Sequence, residues 1–63
     1  MVHYYKDSYS GKGQNLANFE SYSEHQVFDD LGAAKAKYEA ENSPDTVVAI
    51  LENDKLIQLK VVK

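Results

Sequence analysis

Thr46-Val47-Val48-Ala49-Ile50-Leu51, Glu52-Asn53-Asp54-Lys55 and Leu56-Ile57-Gln58-Leu59-Lys60-Val61-Val62 follow one another without a break, and their reading decides the fold. Two runs rich in β-branched and aliphatic residues flank a short polar link, which is the pattern of a β-hairpin. Asn and Asp tolerate the positive φ that a two-residue type I′ turn demands, so Asn53-Asp54 is the expected turn. That turn sets residue 50 opposite 57, 48 opposite 59 and 46 opposite 61. One face then carries Thr46, Val48, Ile50, Ile57, Leu59 and Val61, and the other Val47, Ala49, Leu51, Leu56, Gln58 and Lys60. A slip by one residue would exchange the faces, so the contrast between them pins the register. The first face is the expected core.

Immediately upstream, Asp29 to Glu41 reads as a helix. Asp29 is placed to cap the N-terminus, and Asp30 complements the helix dipole. Ala33, Ala34, Ala36 and Ala40 are strong helix formers. Leu31, Ala34 and Tyr38 recur at i, i+3 and i+7, giving one buried stripe. Asn42-Ser43-Pro44 ends the helix, because Pro cannot continue it.

The first half is harder to read. Val2 to Tyr9 is tyrosine-rich and suits a strand. Ser10-Gly11-Lys12-Gly13 is a turn. Gln14 to Val27 has two readings, a second strand around Phe19 to Ser23 or an irregular loop anchored by Leu16, Phe19 and Phe28. The strand is the expected one, since a long structureless loop is uncommon in a compact domain. The expected fold class is α+β: residues 1–63 form a single small domain, with a small antiparallel sheet of three to four strands and one helix packed on one face. The chain order is β-(β)-α-β-β.

Composition narrows the function classes. Sixty-three residues leave room for one domain with a small core, and without cysteine no disulfide supports it. The N-terminal residues lack the basic and apolar regions of a signal peptide, and Val47 to Leu51 is too short to span a membrane. The expected location is the cytoplasm, with no membrane contact. The net charge is −3, with seven lysines, ten carboxylates and no arginine. Arginine supplies the bidentate fork for phosphate, so its absence disfavours nucleic acid as a partner.

Candidate sites are few. Gly11-Lys12-Gly13 lacks the length and the following Ser or Thr of a phosphate loop. His3 and His25 are far apart and lack the ligand spacing of a metal site, so both read as ordinary surface histidines. Helix capping accounts for the adjacent carboxylates of Asp29 and Asp30. No nucleophile–base pair is evident, so neither an enzyme nor a cofactor is expected. The unusual feature is five tyrosines: Tyr4, Tyr5, Tyr9, Tyr22 and Tyr38. Alternation puts Tyr4 on one face of its strand and Tyr5 and Tyr9 on the other, so not all can be core. The rings either fill a small core or are available to a protein partner or, less readily, to nucleobases.

The stretch Val27-Phe28-Asp29-Asp30-Leu31-Gly32-Ala33-Ala34-Lys35-Ala36-Lys37-Tyr38, with Thr46 to Ile57, resembles short uncharacterised proteins of phages and prophages in its pattern of helix plus hairpin. The resemblance implies an accessory factor or an inhibitor of a host enzyme or defence system. On that analogy the lysine-free acids Glu20, Glu24, Asp29 and Asp30 would mimic nucleic-acid phosphates against a basic host protein.

Three classes of function follow. The first is a binding protein that meets a protein partner through Tyr4, Tyr5, Tyr9 and Tyr22 with those four acids. The second is a self-associating module using the mixed face, Val47, Ala49, Leu51 and Leu56, because one helix cannot cover both sides of a sheet. The third is a single-strand nucleic-acid binder using Tyr4, Tyr5 and Tyr9, which the acidic charge disfavours.

Overall fold

The computed structural model describes residues 1–11 and 16–63. Five main elements follow in chain order: β1 (Val2–Ser8), β2 (Glu24–Phe28), α1 (Leu31–Ala40), β3 (Thr46–Glu52) and β4 (Lys55–Val62). The strands form one antiparallel sheet in the spatial order β2-β1-β3-β4, and α1 packs chiefly on β1 and β3. The fold is α+β, as the sequence pattern implies. Among the described residues no helix is long and apolar enough to cross a membrane.

The hairpin turns at Asn53 and Asp54, with φ of 52° and 62°, as a type I′ turn requires. Beside the turn, Glu52 faces Lys55 and Leu51 faces Leu56. The register then shifts by one, so Ile50 faces Gln58, Val48 faces Lys60 and Thr46 faces Val62. This corrects the expected pairing, and Ile57 is the extra residue of a β-bulge. Leu59 and Val61 therefore share the side of Ala49 and Val47, away from the helix. The reason lies in the position of β4 at the sheet edge, beyond the main cover of α1. On the helix side that edge suits Gln58 and Lys60, and the Lys60 ammonium sits 4.7 Å from the centre of the Tyr38 ring.

Val2, Tyr4, Ala34, Tyr38, Val48 and Ile50 form the core between sheet and helix, with Phe28 and Leu31 packed against it. The expected helix stripe of Leu31, Ala34 and Tyr38 is thus the packed one. Its cap is one residue later than expected: Asp30, not Asp29, accepts the Ala33 N–H, at 3.2 Å. Asp30 has the extended backbone of an N-cap residue, with φ −129° and ψ 132°. At the other end, Lys6 of β1 reaches Glu41 at 2.9 Å and ties the helix terminus to the sheet.

The second strand also lies later than expected. Phe19–Ser21 forms a 3-10 turn, and the strand begins at Glu24. Gly11 has φ 76°, within the left-handed region that suits glycine at a turn. The rest of the Gly11-Lys12-Gly13 reading lies outside the described residues.

Candidate functional site: the open face of the sheet

Cross-strand partners share a side, so the pairings assemble the face opposite the helix row by row. At one end lie Asp7, Val47 and Val61. The middle row is His25, Tyr5, Ala49 and Leu59. The last row, beside the β3–β4 turn, is Val27, His3, Leu51 and Leu56. It crosses all four strands.

Part of this face is covered by the chain itself. Phe19 and Tyr22 are three residues apart, and side chains at that spacing eclipse in a 3-10 turn, so both rings point the same way. They land on Tyr5, with ring centres 5.6 and 6.1 Å away. The Tyr22 hydroxyl donates to the Leu16 carbonyl at 2.7 Å, which closes the segment on itself. Burial raises the Tyr22 phenol above its ordinary pKa, with the Asp7 charge a smaller cause. Val47 and Ala49 are fully buried within the single chain.

Two histidines 22 residues apart in sequence meet beside this cluster. His3 Nδ1 lies 2.8 Å from His25 Nε2, a hydrogen bond between neighbouring strands. Their rings are 11° from parallel with centres 5.1 Å apart. With the nitrogens so close, this places the rings edge to edge. Tyr5 lies beneath His25, 4° from parallel at 4.5 Å, and fixes the plane of that imidazole.

The row Val27–His3–Leu51–Leu56 lies outside the covered region. Leu56 is 53% exposed, Val27 46%, and the bulge residue Ile57 40%. Asp29 and Asp30 follow β2 at this end and Asp54 sits in the hairpin turn, whereas Glu52, opposite Val2 and Lys55, lies on the helix side. Among the described residues no enclosed pocket is found, so the candidate site is a surface.

The tyrosines expected at a partner surface divide sharply. Tyr4 is fully buried in the helix-side core, which corrects its assignment to a partner surface: alternation aims it at α1. Its hydroxyl finds no hydrogen-bond partner among the described residues, and burial pushes its pKa up to about 12. Tyr22 is buried as part of the cover. Tyr5 is half-buried with one face against His25, so no three-tyrosine platform for nucleobases is assembled. Tyr9 is half-buried, and its backbone N–H donates to the Asp45 carbonyl.

The acids are also dispersed. Glu24 lies 3.7 Å from Lys37 on the helix side, Asp30 caps α1, and Glu20 and Asp29 are exposed. In the expected self-association face, Val47 and Ala49 are already covered, which leaves Leu51 and Leu56. The sequence reading missed the His3–His25 contact, because only the β1–β2 register brings the two residues together. Comparison with protein-family models, curated proteins and solved structures finds no match to this chain.

Proposed function

We propose that this chain is a small non-catalytic binding protein, and that its working surface is the row Val27, His3, Leu51 and Leu56 with the neighbouring Ile57. The observation that carries this reading is the exposure of Val27 and Leu56 at the two ends of a row across the whole sheet, with half-buried His3 and Leu51 between them, on a face where the chain itself buries Val47 and Ala49. Exposed apolar area rimmed by polar groups is the mark of an interaction surface. The rim decides between occupants. Asp29 and Asp54, near the two ends of the row, would bring like charges together across a contact between two copies, which disfavours self-association. A partner protein with an apolar patch and a basic border fits better.

The resemblance to short phage and prophage proteins leads to the same class, an accessory factor or inhibitor of a host protein. In that setting the acidic rim stands where nucleic-acid phosphates would meet a basic host surface. Asp29 remains in that role. Glu24 and Asp30 already have partners within the fold, so Asp54 of the hairpin turn takes their place.

The test is capture of a partner by tagged protein, comparing wild type with Val27→Lys/Leu56→Lys and with Asp29→Asn/Asp54→Asn. Wild type should retain one stoichiometric partner at low salt. The lysine variant should lose it while keeping its fold, and the neutralised rim should hold it at least tenfold more weakly. A partner held equally by all three proteins would overturn the assignment of this surface.

A further inference from the structure

The chain has two histidines, and the fold brings both to one point on the open face. A hydrogen bond between two solvent-accessible neutral imidazoles adds little to stability, because each nitrogen exchanges a water for the other ring. The arrangement nevertheless has three properties of a ligand site. First, the two nitrogens that face each other belong to different strands, so the sheet fixes their spacing. Second, Tyr5 stacks flat on His25 and restrains the plane of its ring. Third, His25 is exposed and His3 half-buried, so an ion there would keep open positions toward solvent or a partner.

The geometry points to a two-histidine site for a divalent transition-metal ion of the zinc class, held by His3 Nδ1 and His25 Nε2. Imidazole nitrogen is a preferred donor for zinc, copper and nickel. A tetrahedral zinc with both nitrogens at about 2.05 Å sets them about 3.4 Å apart, so the observed pair opens by roughly 0.6 Å to admit the ion. In the neutral pair one nitrogen carries the shared proton. Binding moves that proton to the other nitrogen of the same ring and leaves both facing nitrogens with free lone pairs. Among the described residues no group of three or more His, Cys, Asp and Glu forms, so the remaining positions belong to water in the isolated chain. His3 lies in the row between Val27 and Leu51, so a bound ion would sit at the surface assigned above to a partner. The metal site itself does not depend on that assignment.

The test is titration of zinc chloride into the intact protein at neutral pH, read by the imidazole nitrogen resonances and by calorimetry. The expected result is saturable binding at one ion per chain, with shifts at His3 Nδ1 and His25 Nε2. His3→Gln and His25→Gln should each weaken it at least tenfold while the backbone spectrum shows an intact fold. No saturable shift up to millimolar zinc would overturn the proposal, as would binding that persists unchanged in either variant. Loss of partner capture with zinc binding intact would overturn only the partner surface.

Discussion

The two sides of this sheet are closed by different means. On one side a capped helix covers Val2, Tyr4, Val48 and Ile50, with Ala34 close against the strands and Tyr38 filling the remaining space. On the other side a short irregular segment places Phe19 and Tyr22 on Tyr5 and stops before the last row. A helix presents a continuous stripe and covers several strands at once. Two rings on a 3-10 turn cover one patch. The difference teaches where a domain this small can carry a surface for others: where its own cover runs out.

The contrast is broken most severely from the helix side. Tyr4→Ala should cost about 3–5 kcal/mol, since it removes the largest fully buried side chain of the core. A domain of this length has roughly 3–9 kcal/mol in all, so urea or thermal melts should show a largely unfolded population. Tyr4→Phe should be neutral or stabilising, because it removes only a buried hydroxyl that has no hydrogen-bond partner among the described residues.

Next in size is the pinning of the helix. Asp30→Ala removes the acceptor for the Ala33 N–H and should lower stability by about 1 kcal/mol in the same melts. Tyr22→Phe sharpens the comparison directly, because it is the same chemical change as Tyr4→Phe made on the other face. It removes the hydrogen bond to Leu16 and should cost about 0.5–1.5 kcal/mol. Opposite signs for the two Tyr→Phe variants are the outcome expected of a dry core beneath the helix and a hydrogen-bonded cover on the open face.

The smallest effect is a pH dependence. The hydrogen bond from Lys6, with a further contribution from Ser43, holds the Glu41 carboxyl at about 2, below its ordinary value of 4.5. A lowered folded pKa means the contribution is fully present above pH 4.5 and is lost as the pH falls from 4.5 toward 2. Glu41→Gln should flatten the fall in melting temperature across that interval. An unchanged slope would show that the helix terminus is held by packing alone.

The helix side was legible in the sequence because regular periodicities carry it. Leu31, Ala34 and Tyr38 name the stripe, and Asn53-Asp54 names the turn. The bulge at Ile57 runs against the local pattern, since the expected register pairs Ile50 with Ile57 and Val48 with Leu59 while the observed one sets them opposite Gln58 and Lys60. It is the limited reach of the helix across the sheet that decides between them. The open face was less legible for a related reason. A 3-10 turn is fixed by what its rings rest on, and Phe19 and Tyr22 rest on Tyr5 from a distant strand. His3 and His25 meet through a register that no spacing rule encodes. The chemistry of the candidate site therefore depends on tertiary pairing, while the fold class depends on local pattern.

The central claim is that the uncovered row, and not the helix, is the surface with which this protein works. Photo-crosslinking from a reactive side chain at position 56, compared with one at the exposed helix position 36, tests it most directly. The account predicts one discrete partner adduct from position 56, lost when Val27→Lys is added, and none from position 36. An adduct from position 36 alone, or an adduct from position 56 that proves to be a second copy of the chain, would contradict it.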